Sequence, residues 1–155
     1  MDNLLHELQK AYPELSFQAS NTFFWSPQHR IVHYKDTPSS SDEAACWKLL
    51  HETAHGALDH KNYRTDFELL KLETEAWHTA RILGQQFGIT INENHVENCL
   101  DSYRDWLHAR STCPHCCMNG LMIGRGTYEC INCSGQWRVS QSRFCRPYRL
   151  SLAKA

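Results

Sequence analysis

The chain has 155 residues, 41% of them apolar and 21% charged, with a net charge of −1. That suffices for one modest domain with a real core plus a small appendage, in a composition ordinary for a soluble globular protein. No run of eighteen apolar residues occurs, which argues against a membrane span. The start MDNLLHELQK lacks the basic residues and apolar stretch of a secretion signal, so the cytoplasm is the expected location. Charge is uneven along the chain: residues 1–109 hold nine Lys/Arg against sixteen Asp/Glu, and residues 110–155 hold seven against Glu129 alone. Two units with different jobs are expected, 1–110 and 111–155.

Residues 2–12 read as a short amphipathic helix with Leu4, Leu5, Leu8, Ala11 and Tyr12 on one side and Pro13 closing it. From Phe17 the texture changes. Residues 22–25 (TFFW) and 31–34 (IVHY), separated by Ser26-Pro27-Gln28-His29-Arg30, predict a hairpin. Residues 36–41 are a polar link, in which Ser40 and Glu43 make a capping box for a helix over about 41–59. A second long helix is expected from about 66 to 87, with Leu69, Leu72, Ala76, Ala80, Leu83 and Phe87 inward and Gly88 ending it. A third is expected over about 92–109, with Val96, Leu100, Tyr103 and Leu107 inward. Cys46 and Cys99 lie on helix faces and read as buried small apolar residues.

The first long helix carries LLHETAHGALDH. Its His51-Glu52-Thr53-Ala54-His55 is an H-E-x-x-H pattern. Positions four apart share a helix face, so both imidazoles can reach one metal ion, and Glu52 stands beside it as a proton acceptor. A tetrahedral catalytic zinc takes three protein ligands and keeps one open position. The second helix offers two carboxylates in LETEAWHTA. Glu75 lies between Leu72 and Ala76, beside the inward face, and is the expected third ligand. Glu73 is the alternative, read as leaning towards solvent.

H-E-x-x-H followed by a helix carrying E-x-E-A resembles the ImmA/IrrE family of zinc-dependent metallopeptidases. The matched residues are His51, Glu52 and His55, then Glu73-Thr74-Glu75-Ala76 with Ala80 one turn on, within roughly residues 20–90. The resemblance implies a zincin-like α+β fold, a small sheet or hairpin on helices that carry the ligands, and a His-His-Glu ligand set of gluzincin type. The glutamate directly before the alanine is carried over as ligand. It also implies regulatory proteolysis, often of a helix-turn-helix repressor. Zinc would polarise the scissile carbonyl and lower the pKa of a water to about 7, and Glu52 would move its proton to the leaving amine. His60, Tyr63, His78 and Tyr103 are candidate donors to the negative oxygen formed. The hairpin could offer an edge strand to a peptide substrate. Trp77 stands where the family often has Asn, and the cysteine-rich tail is one most members lack. The SprT-like family, which also joins H-E-x-x-H to a zinc ribbon, ranks second. It takes a later histidine, usually in an H-G pair, and no such pair follows His55.

In the tail, Cys113-Pro114-His115-Cys116 and Cys130-Ile131-Asn132-Cys133 are two C-x-x-C knuckles. Together they can close a tetrahedral four-thiolate shell, the signature of a structural zinc ribbon. Two zinc ions are therefore expected, one catalytic and one structural. Cys117 follows the first knuckle where glycine often sits and could compete with Cys116, and Cys145 has no pair in sequence. Arg138, Arg143, Arg146 and Arg149 alternate with Trp137, Phe144 and Tyr148, a pattern that suits phosphates and bases. The leading reading is a peptidase acting on a protein or peptide. The alternatives are a nucleic-acid-binding regulator that uses the zincin half as scaffold, and an interaction module with two structural zincs.

Overall fold

A computed structural model describes residues 1–35, 43–140 and 147–152, and their architecture is α+β. In chain order the elements are α1 (Asp2–Ala11), β1 (Ser16–Ser20), β2 (Phe24–Ser26), β3 (Ile31–Lys35), α2 (Glu43–Ala57), α3 (Asp66–Gln86), α4 (Glu93–Ser111), β4 (Gly120–Gly124), β5 (Thr127–Cys130), β6 (Gln136–Val139) and β7 (Arg149–Ser151). They form two compact units, Met1–Asn62 with Lys71–Val96, and Tyr63–Leu70 with Glu97–Ala155. No helix among the described residues is long and apolar enough to cross a membrane.

In the first unit β3 is the central strand, antiparallel to β2 as the hairpin reading expects and parallel to β1, which that reading lacks. The strand register lines up Phe17, Val32 and Trp25 across the sheet, and Val32 is fully buried. Successive strand residues face opposite ways, so these three share one face. That face meets α2 at Gly56, where a Cβ would stand 2.8 Å from Leu15 Cδ1 and 3.1 Å from Trp25 Cζ3. The helix can lie this close only because position 56 carries no side chain. Leu49, Leu50 and Ala54 complete the buried side of α2, and Leu4 and Leu8 are the buried residues of α1. Leu5 is half-buried and Ala11 exposed, so the inward side of α1 is narrower than expected. The cap expected at Ser40 lies outside the described residues.

Helix α3 starts with a capping box of its own: Thr65 Oγ1 accepts from the Glu68 N–H at 3.1 Å, and Glu68 Oε2 accepts from the Thr65 N–H at 3.3 Å. Gly88 ends it in the left-handed region at φ +69°, as expected. The Asn92 side chain caps α4 through the Asn94 N–H at 2.9 Å. Cys46 and Cys99 are half-buried rather than enclosed.

The second unit does not begin at residue 111 as expected; it takes in the start of α3 and most of α4. Among the described residues, the cluster buried with its four-stranded meander β4-β5-β6-β7 is Cys113, Tyr128, Cys130 and Trp137, a small core by itself. Helical side chains enlarge that core. Arg110 is 1% exposed, its guanidinium 4.2 Å above the Trp106 ring and 3.7 Å from Asp66. The Tyr128 hydroxyl donates to Asp66, and Trp137 Nε1 donates to the Arg110 carbonyl at 3.0 Å.

Candidate metal centres

The first centre lies in the first unit, where α2 and α3 supply a trio of buried polar side chains. His51 and His55, one turn apart on α2, bring their Nε2 atoms to 3.2 Å of each other. From α3, Glu73 Oε2 lies 3.2 Å from His51 Nε2 and 3.7 Å from His55 Nε2. A tetrahedral cation with bonds of about 2.0–2.1 Å holds its donors about 3.3 Å apart, so these spacings suit a small metal ion with three protein donors. All three side chains are buried, and together they form a group that could hold a metal. Burial by itself pushes the Glu73 carboxyl up, but hydrogen bonds from His51 and His55 outweigh it and hold the group far below the usual carboxylate range. Burial lowers His55, yet the Glu73 hydrogen bond and charge, with the Glu52 charge, raise it overall. Glu52 is half-buried, one residue after His51 and three before His55.

The expected third donor, Glu75, is not the one brought to the histidines. The buried positions of α3 are Leu69, Glu73, Ala76, Trp77, Ala80, Leu83 and Gly84, a stripe at i, i+4, i+7, i+8, i+11, i+14 and i+15. Glu73 belongs to that stripe. Glu75, two residues on, is turned about 200° around the helix, and its side chain is 47% exposed beside Lys71. The signal was present in sequence as the spacing of Leu69, Glu73 and Trp77. The expectation that Leu72 faces inward conceals it, since Leu72 is only half-buried.

Two supports hold the imidazoles. The Trp77 ring, 2% exposed, stacks on His51 with centroids 4.1 Å apart, a role that sequence inspection did not assign. The end of α2 seats His60 against His55. Asp59 takes the left-handed conformation (φ +51°), its N–H bonds the Gly56 carbonyl at 3.1 Å, and the His60 N–H bonds the His55 carbonyl at 3.0 Å. This is the Schellman ending of a helix, which brings the second residue past the cap back over the last turn. His60 Nδ1 accordingly lies 2.9 Å from His55 Nδ1. Burial first, then the neighbouring His55, push His60 below its ordinary pKa.

His60, expected as a donor to a reacting oxygen, therefore sits behind His55, on the side away from Nε2. His78 is exposed and lines an open groove of about 630 Å³ with His60, Glu75, Leu58 and Leu72. Tyr63 and Tyr103 belong to the second unit, both half-buried. Of the hairpin expected to offer an edge, β2 is an edge strand of its sheet among the described residues and β3 is not.

The second centre is the four-cysteine group of the second unit. Its Sγ–Sγ separations are 3.4 Å for Cys116–Cys130 and 3.7 Å for both Cys113–Cys133 and Cys116–Cys133. Tetrahedral metal–sulfur bonds of about 2.3 Å require about 3.8 Å, so all four thiols can serve one ion. Each knuckle turns back through a residue in the left-handed region, Cys117 (φ +60°) and Ser134 (φ +55°), four places after its first cysteine. Cys117 is exposed and outside the group, which corrects the idea that it competes with Cys116. Backbone N–H groups reach sulfur at 3.4 Å from His115 to Cys113 and from Asn132 to Cys130. The Met118 N–H, with help from Asn132 and Cys130, brings Cys116 down to about 6. At Cys133 the Gly135 N–H lowers the pKa, but burial and the neighbouring thiols outweigh it and push the thiol up to about 11. As four thiolates the group would need a cation to hold it together.

Of the four arginines assigned to nucleic acid, Arg138 is exposed on β6, and Arg149 is committed to the Thr112 carbonyl at 2.8 Å. Arg143 and Arg146, with Phe144 and Cys145, lie outside the described residues. Trp137 is fully buried and has no face to offer a base, whereas Tyr148 is exposed. Compared with known proteins, the chain matches no family model, no curated protein and no solved structure.

Proposed function

We propose that this chain is a zinc-dependent endopeptidase of the ImmA/IrrE kind, with a zincin-like first unit and a structural zinc in the ribbon of the second. The observation that carries the reading is the convergence of His51 and His55, on the helix that also bears Glu52, with Glu73 of α3, their donor atoms within 4.8 Å of one another. Zinc, when bound, supplies a Lewis acid that polarises a carbonyl and makes water a better nucleophile. The residues of the chain do the rest. Two neutral imidazoles and one carboxylate hold the ion and leave room for a fourth donor. Glu52 holds no ligand position and is free to take a proton from water and deliver it to the leaving amine. The proposed substrate is a protein such as a transcriptional repressor, cut in the course of regulation.

The test is Glu52→Gln in the full zinc-loaded chain, with a peptide library read by mass spectrometry. Both zinc ions should stay, and cleavage should fall by at least about 100-fold, the usual contribution of a general base. Cleavage at the original rate would remove Glu52 from the mechanism. No cleavage by the unaltered two-zinc protein would sink the peptidase reading itself.

A further inference from the structure

We infer that His60 and Glu75, neither of them a ligand, form a positioning relay behind His55 that fixes which nitrogen of that ring faces the metal. The inference rests on the zinc site proposed above. His55 has two ring nitrogens with separate tasks. Its Nε2 is the atom aimed at His51 and Glu73, at 3.2 and 3.7 Å, so that nitrogen must be bare for a metal. The ring proton then belongs on Nδ1, and the only order that satisfies the 2.9 Å contact has His55 Nδ1–H donating to His60 Nδ1. The His60 proton is thereby assigned to Nε2, which lies 3.7 Å from Glu75 Oε2. Carboxylate, imidazole and imidazole thus point one way, as outer groups do when they set the tautomer of a metal-bound histidine.

The seat of His60 is itself held in place. Its carbonyl accepts from Trp25 Nε1 at 2.8 Å, and Asp59, in the left-handed turn before it, pairs with Arg30 and Lys61 at 3.0 Å each. His51 differs: its Nδ1 is buried without a hydrogen-bond partner among the described residues, and on that ring it is the Trp77 stack that stands where a relay would. The relay therefore serves one of the two imidazoles, and it gives Glu75 a use that ligation does not.

Two measurements test this. In the zinc-loaded full chain with nitrogen-15 histidine, long-range proton–nitrogen spectra should show His55 protonated at Nδ1 and metal-bound at Nε2. The reverse arrangement would overturn the relay, and no variant is needed to see it. In chelator competition, His60→Ala should weaken zinc at the first centre by about 10- to 100-fold and leave the ribbon zinc untouched. His60→Asn, whose side-chain oxygen can occupy the place of Nδ1, should recover most of that loss, and Glu75→Gln should show a smaller loss in the same direction. Unchanged affinity in His60→Ala would refute the relay even if the chain cleaves peptides. Weakened affinity in a chain that cleaves nothing would uphold the relay and leave the peptidase reading refuted.

Discussion

The two centres are built on opposite plans. The first takes donors from two long helices that also carry Leu49, Leu50, Ala54, Ala76, Trp77 and Ala80 into a core, so its polar trio is an inclusion in a structure already packed. The second takes donors from two knuckles whose core is Cys113, Tyr128, Cys130 and Trp137, so half of the buried cluster is ligand. Three mixed donors leave a position free, whereas four thiols leave none. Where packing holds the frame, a metal can be spared for chemistry. Where the ligands are half of the core, a bound metal would itself be the frame and could not.

The comparison breaks first at the ribbon. Cys130→Ser, or removal of both ions by a strong chelator, should unfold β4 to β6, because binding at such sites is worth about 10–16 kcal/mol in apparent terms and is folding free energy. Hydrogen exchange would show amides of residues 120–139 losing protection while those of α2 keep theirs. Equal loss in both would mean that the first unit also depends on its metal.

A smaller effect sharpens the ligand assignment. Glu73→Ala should lower zinc content from two ions to one, a loss of affinity beyond the roughly 10- to 100-fold expected for an outer group. Glu75→Ala should retain two. Metal analysis of the two variants side by side decides between the carboxylates.

Smallest are the close approaches. A Cβ at Gly84 would meet the Ile89 carbonyl oxygen at 2.6 Å, and one at Gly120 would meet the Glu129 carbonyl oxygen at 2.6 Å and Trp137 Cη2 at 2.4 Å. Backbone oxygens give little, so alanine at either site should cost about 1–3 kcal/mol. Gly84→Ala should lower the melting transition of the first unit, and Gly120→Ala that of the second. A shift of both transitions by one substitution would show that the units unfold together.

Much of the frame was legible because it is local. Two of the three long helices, α3 and α4, announced themselves by periodicity, and the knuckles by spacing alone, since a C-x-x-C turn needs only its own few residues. The hairpin of β2 and β3 was legible for the same reason. Strand β1 was not: SFQAS alternates weakly, and its parallel pairing with β3 is a choice made across intervening chain. The compact units cut across α3 and α4 because Asp66 and Arg110, distant in sequence, join the core of Tyr128 and Trp137, a pairing no local pattern contains.

The sequence by itself determined which residues could bind metal and how far apart along each element they lie, because a helix converts spacing into a shared face without help from the rest of the chain. Which carboxylate turns inward and which histidine backs which was decided only by tertiary structure. Glu73 and Glu75 differ by two places on one helix, and the direction in which that helix is buried depends on the apolar surface it packs against, which no local pattern contains.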